Sequence, residues 1–493
     1  MKTVLLAALC LCLAASGARG HPNATCENGM ANEFPCSNVE LLAHVSLDYF
    51  GSNRASDVWG WTDPITGVEY ALLGLTVGMA VVDLSRPDHP LRVGTLPAST
   101  VDSGWRDIKV YADHAFVVSE ALGHGMQVLD LRQLSSVTNQ PVTFTSDANY
   151  LEFGGAHNIE IVEATGFAYV VGTSTCSGGL HMIDIGDPVN PTFAGCYSGD
   201  GYTHDTQCVI YDGPDVTHQG REICFSSNED TVTIVDVTDK SNPLLLSRSE
   251  YHHGYTHQGW LTEDHRYFFL GDELDEIQHG HGSRTYVWDM SDLDAPILVG
   301  NHTAVASSID HNQFVLGNHL FQANYTSGLR ILRLGNLDLA ELGEVAYFDT
   351  TPETDSPTFA GAWGVYPFFE SGIVLVSDID RGLFVLKPDL NAVLECEDGI
   401  DNDLDGFIDT DDPGCPFLSA FPEDPICDDG IDNDGDGLID FDDPVCSADW
   451  PYWEKRPGCG LGFELVLLLP LLASLRGWRY RRGTPSHSRN TLS

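Results

Sequence analysis

Two loops of twelve residues near the C-terminus carry the plainest chemistry in this sequence. Asp401, Asp403, Asp405, Asp409 and Asp412 occupy loop positions one, three, five, nine and twelve, with Gly406 at six. Asp432, Asp434, Asp436, Asp440 and Asp443 repeat the spacing, with Gly437 at six. Carboxylate oxygens at these intervals wrap a hard cation, and the glycine permits the sharp turn. Position seven offers a backbone carbonyl, here that of Phe407 or Leu438. The expected cofactor is Ca2+; a solvated acidic linker is the alternative. Position twelve is Asp where a bidentate Glu is usual, Pro413 and Pro444 follow at once, and no amphipathic helix flanks either loop. These are therefore not paired sensor hands. Weak, extracellular-type affinity is expected, with the ion stiffening a spacer whose bare charges would repel one another.

A second set of chemistry-bearing residues recurs at long intervals. His157, His204, His257 and His311 sit in the similar phrases AHNIEI, THDTQ, THQGW and DHNQF, while Trp59, Trp105 and Trp363 take the matching place in three others. Acidic and histidine residues cluster a little downstream: Glu120, His124, Asp272, Glu273, Asp275, Glu276, His279, His281, Asp378 and Asp380. Imidazole and carboxylate converging from several loops suit Zn2+ or another divalent ion, or acid–base work. Structural histidines that only lock neighbouring units together, and a rim that recognises a ligand, are the competing readings. No nucleophile elbow, P-loop or HExxH motif is present.

The elements that must position these residues come from a repeat. Thr231–Asp236 (TVTIVD) is an apolar, β-branched run closed by an acid, and GMAVVD, GMQVLD, GLHMID and RTYVWD recur at 78–83, 125–130, 179–184 and 284–289. GLRILR at 328–333 and GLFVLK at 382–387 keep the apolar core without the acid. Seven copies spaced roughly 45–55 residues apart match the period of propeller blades. Each unit reads as four strands with no long helical period between them. After residues 382–387 no outer strand follows, whereas Val39–Tyr49 is a strand-like segment left over at the N-terminus. Pairing the two removes both open edges. The fold class expected is all-β: a seven-bladed β-propeller over 39–390, closed by its N-terminal strand. It is followed by a small calcium-binding loop tail and a C-terminal hydrophobic segment. A six-bladed ring or an open solenoid is the alternative. First strands line a propeller's channel, so the His and Trp residues should ring one mouth, with Asp272 and Glu273 beside His157, His204, His257 and His311.

The repeat core, with proline seven residues after its aspartate, resembles the LVIVD repeat. Together with the phrases DVWGWTD, RDIKV and THQGWLTEDHRYFFLGDELDE, residues 35–390 resemble the choice-of-anchor B family of exported bacterial propellers. That resemblance implies fold and location; the family has no established activity to carry over. The acidic loops are similar to thrombospondin type 3 calcium repeats. Residues 458–482, with Gly458-Cys459-Gly460, an apolar run and a basic cluster, resemble a C-terminal sorting signal of the myxobacterial kind. Cys459 would be its processing or attachment point; a plain membrane anchor is the alternative.

Composition sets the remaining bounds. The chain has 493 residues, 42% hydrophobic and 10% aromatic, ample for a large core. Lys+Arg number 24 against 72 Asp+Glu, a formal charge of −48, so nucleic acid and anionic lipid are poor partners. Lys2, the apolar stretch Val4 to Ala15 and Ala18-Arg19-Gly20 read as a signal peptide over 1–20. A disulfide-stapled lead-in at 21–38 precedes the propeller. In an exported chain, sequence proximity pairs Cys26 with Cys36, Cys176 with Cys196, Cys208 with Cys224, Cys396 with Cys415 and Cys427 with Cys446. The calcium repeats then span 396–446, a linker 447–458, the anchor or sorting segment 459–482 and a polar tail 483–493. The function expected is a non-enzymatic binding protein, displayed at the cell surface in association with the outer membrane or envelope, whose partner is a surface protein or glycan. An exported metal-dependent hydrolase or lactonase-like enzyme, with the His-rich mouth as its centre, is the alternative.

Overall fold

The run Thr231–Asp236 is a strand buried along its whole length. Such continuous burial is expected of an inner position in a sheet that is covered on both faces. The computed structural model describes residues 23–252 and 254–390. The chain divides at Leu394 into two units, and all described residues belong to the first. The expected signal segment, both acidic loops with their cysteine pairs, Cys459 and the C-terminal apolar run lie outside the described residues. No helix among the described residues is long and apolar enough to cross a membrane.

The seven repeats build seven antiparallel sheets, each with a core of four strands. Their inner strands are Ala55–Thr62, Arg106–Tyr111, Asn158–Val162, Asp205–Ile210, Thr256–Leu261, Gln313–Leu316 and Ala362–Tyr366. Each packs against the next, and the seventh returns to the first, which closes the ring. The hydrophobic clusters lie between adjacent blades, as where Leu73 and Val82 of blade one meet Leu375 and Val385 of blade seven. In blade seven, Val39–Val45 pairs antiparallel with Gly382–Pro388, placing Leu41 opposite Leu386 and Val45 opposite Leu383. The chain is thus an all-β, seven-bladed propeller whose last blade takes its outer strand from the N-terminus.

The repeat's aspartate now has a physical reason. Asp83, Asp130, Asp184, Asp236 and Asp289 each accept a hydrogen bond from the backbone N–H two residues on. This Asx turn starts the reversal into the fourth strand. Blades are also clasped side by side at the channel. Asp57 accepts from Ile108 N, Asp107 from Ile159 N, Gln207 from Leu261 N and Gln258 from Gln313 N. Each satisfies a backbone donor of the neighbouring blade that would otherwise be buried without a partner.

The lead-in forms a short hairpin, Met30–Ala31 with Phe34–Ser37, that extends blade six through Cys36 opposite Phe348. Disulfides join Cys26 to Cys36, Cys176 to Cys196 and Cys208 to Cys224. All three expected pairs within the described residues therefore form, which is consistent with an exported protein.

Candidate functional site

His157, His204 and His311 stand just before the inner strands of their blades, and His257 reaches the same mouth through an irregularity in its strand. In blade five Thr256 is opposite Asp272 but Gln258 is opposite Gly271, so His257 is bulged out of register. Blade seven does the same between Ala362 and Gly364, which bulges Trp363. A bulge re-aims the side chain it carries. Blade one is bulged further, between Ala55 and Val58. Ser56 and Asp57 fill the gap there, and Trp59 falls deeper, opposite Leu72. Trp59 therefore does not open blade one at the mouth as the sequence suggested. Its ring packs on Tyr366 at 5.1 Å and Phe314 at 5.8 Å, with Lys109 Nζ 4.4 Å from its centroid.

The four imidazoles form a continuous ladder. Ring centroids lie 4.2 Å apart for His157 and His204, 4.2 Å for His204 and His257, and 4.4 Å for His257 and His311. Trp363 continues it at 4.8 Å from His311, and Trp105 follows at 6.2 Å. Gly172, at φ 64°, makes room beside it, since a Cβ there would sit 2.5 Å from that of His157.

Nδ1 and Nε2 have different work. His204 Nδ1–H donates to the carbonyl of His257 at 3.0 Å, and His311 Nδ1–H to the carbonyl of Trp363 at 2.5 Å. These bonds lock blade to blade, as the structural reading expected. They also fix the tautomer of His204 and His311, leaving Nε2 of each as a lone pair, while His257 Nδ1 is buried with no hydrogen bond and leaves its tautomer open. The Nε2 atoms of His257 and His311 lie 3.8 and 3.7 Å from Oε1 of Glu273. His204, His257 and Glu273 each bring one ligand atom within 4.8 Å of the others. Tyr325 OH donates to the same Oε1 at 2.6 Å, and His157 Nδ1 meets Glu120 Oε1 at 2.7 Å.

Burial keeps the imidazoles of His204, His257 and His311 neutral. Desolvation, then the neighbouring imidazoles, holds His204 and His257 well below the ordinary histidine range. Desolvation lowers His311 to about 3. It also raises Glu273 to about 7, against the Tyr325 hydrogen bond. Neutral imidazole is the metal-binding form. Separations of 3.7 and 3.8 Å approach the edge of a tetrahedron around zinc, roughly 3.3 Å for bonds of about 2.0 Å. The donor set thus fits a divalent ion of the zinc class.

The other expected rim residues divide. Glu120 and Glu273 join the mouth. Asp272 accepts from Gly254 N, Tyr255 N and Tyr251 OH, so it anchors a loop. His124 is buried against Arg106, 3.0 Å from its guanidinium. Asp378 caps the turn through Asp380 N and Arg381 N, and Asp380 is exposed. His279 is exposed and its ring lies 4.5 Å from that of His252. Asp275 and Glu276 turn away to meet Asp310. Tyr325 was not singled out in the sequence, and its only signal is that it follows the second strand of blade six.

Residues 154–198 match the LVIVD repeat, a span that covers blade three. No curated protein matches the chain. Among solved structures, the β-propeller domain of Myceliophteria thermophila Cps50 (Swd1) aligns over 68% of this chain and 96% of its own, at 11% identity and TM-score 0.44. A protein from Lactobacillus plantarum aligns over 69% of this chain and 93% of its own, at 16% identity and TM-score 0.48.

Proposed function

We propose that this LVIVD-repeat propeller is an exported surface protein of the choice-of-anchor B type, displayed on a calcium-stiffened tail, that binds its partner at the His-lined face through a divalent metal ion. The observation that carries this reading is the convergence of imidazole nitrogens on Glu273. His257 and His311 Nε2 lie within 3.8 Å of its Oε1. The His311 Nε2 lone pair is repelled by an ionised Glu273 and accepts only from a protonated one; a cation between them satisfies both with the carboxyl ionised. An ion held there with one coordination position open would accept an oxygen ligand from a glycan or an acidic side chain. Export rests on the N-terminal sequence and the three disulfides. The tail role rests on the duplicated Asp spacing, and attachment to the outer membrane or envelope on the segment around Cys459.

One observation favours the second reading, a metal-dependent hydrolase. The Glu120 carboxylate, 42% exposed, meets His157 at 2.7 Å, an acid–base pair beside the ladder. The test uses the full chain, stripped with chelator and reloaded with Zn2+. Bound zinc is measured by mass spectrometry in the wild type and in His257→Ala. Loss of one ion in the variant, together with metal-dependent capture of a glycan or acidic peptide on an array, supports the binding reading. Metal-dependent turnover of ester or lactone substrates selects the enzyme. Equal zinc in both folded proteins rejects both.

A further inference from the structure

Behind the mouth lies a second constellation with different donors. The loop after the second strand of blade five brings Asp275 and Glu276 against Asp310, which precedes the inner strand of blade six. One oxygen from each lies within 4.8 Å of the others. The three residues are 0%, 2% and 2% exposed. Each spends one oxygen on a donor: Asp275 Oδ2 on Tyr286 OH, Glu276 Oε1 on Arg284 N, and Asp310 Oδ2 on Asp272 N. The remaining oxygens, Asp275 Oδ1, Glu276 Oε2 and Asp310 Oδ1, are buried and meet no donor outside the cluster, where Glu276 faces Asp275 and Asp310 carboxyl to carboxyl.

His281 supplies an independent sign. Its Nδ1–H donates to the carbonyl of Gly282 at 2.8 Å, so in the neutral ring Nε2 carries the lone pair. That Nε2 is buried, makes no hydrogen bond, and points to Asp275 Oδ2 at 3.6 Å. A lone pair and three carboxylates cannot share a dry space without positive charge among them. Protons shared among the carboxyls and His281 are the competing way to neutralise the cluster, and they add no ion to it. Burial and mutual repulsion push Glu276 up to about 9 and raise Asp275 and Asp310, which is the cost a bound cation would remove.

We propose that Asp275, Glu276 and Asp310, with His281 at their edge, hold a second divalent cation, which pins the loop carrying Glu273. The carboxylate oxygens suit Ca2+ or Mn2+, and the imidazole nitrogen adds zinc to the ions to be tried. The site is separate from the histidine ladder, because no ladder imidazole is among its ligands. Its role is positional: Glu273 lies two residues before Asp275, so ordering one orders the other.

The experiment compares full-length wild type with Asp310→Asn and Glu276→Gln after chelation, adding Ca2+, Mn2+ or Zn2+ singly. The tail loops are unchanged in all three proteins and cancel in the comparison. Native mass spectrometry should show one ion fewer in each variant for the cation that binds. Hydrogen exchange across 273–283 should slow at least tenfold on adding that cation to the wild type and remain fast in the variants. Should a variant fail to fold, exchange across 273–283 in His257→Ala, which lacks the ladder ion, decides. Exchange at 273–283 that ignores all three cations overturns the proposal. So does unchanged ion count in folded variants, the result expected if shared protons alone neutralise the cluster. His257→Ala, which removes the ladder ion, leaves this cation in place, so the two sites succeed or fail separately.

Discussion

Replacing Glu160 with glutamine should change how stability depends on pH, and the structure sets both sign and size. Glu160 lies on the inner strand of blade three, 8% exposed. Desolvation is the main cause that raises it from its ordinary 4.5 to about 8; Asp205 and Asp107 add to the rise and Lys109 opposes it. A carboxyl raised on folding keeps its proton in the native state after the unfolded chain has released it. Stability is therefore full below about pH 4.5 and is lost as pH climbs to about 8. Across that window the loss approaches about 5 kcal/mol. Glutamine cannot ionise and escapes it. With an unfolding entropy of about 2.1 cal/mol/K per residue, a propeller of this size should gain about 6 °C in Tm at pH 8 from Glu160→Gln, and about 1 °C or less at pH 5. Thermal melts by intrinsic fluorescence from pH 5 to 9 provide the assay. A Tm difference that stays constant across this range would show that Glu160 is already ionised in the folded state, and would refute the reasoning.

Other consequences follow from packing and composition. Leu41→Ala in the closing strand, where the side chain is 0% exposed, should cost about 2–5 kcal/mol, read as a lower urea midpoint. A loss below about 1 kcal/mol would mean that the ring does not depend on this strand. Cys208→Ser with Cys224→Ser removes a crosslink that spans 16 residues and should cost about 3 kcal/mol in chemical denaturation. Chelation of the full chain should expand the 396–446 segment in small-angle scattering, and Ca2+ should reverse it; no change in dimensions would discard the calcium role of the Asp401 and Asp432 loops.

Much of this architecture was legible because it is local or repeated. Thr231–Asp236 and its six counterparts announced the blades, and the missing outer strand after residues 382–387 announced closure by Val39–Val45. The three disulfides join cysteines no more than 20 residues apart, so proximity sufficed. His157, His204, His257 and His311 could be set at one mouth because their phrases align. Trp59 could not, because a wider bulge in blade one shifts it along the strand, and bulge size leaves little trace in residue type. The acid cluster was hidden for another reason. Asp310 comes from a different blade than Asp275 and Glu276, and a spacing pattern is blind to residues that tertiary packing brings together. The repeat's aspartate was seen as a signature, while its work as a turn cap emerged only from its hydrogen bonds.

The most direct test of the central reading is an anomalous-scattering map of crystals of the full chain soaked in Zn2+. A peak is expected at the channel mouth, about 2.0–2.1 Å from Nε2 of His204, His257 and His311, with Glu273 as a ligand or beside it. A folded propeller whose mouth shows no peak at saturating zinc, with its histidines bonded only to neighbouring backbone, would contradict it.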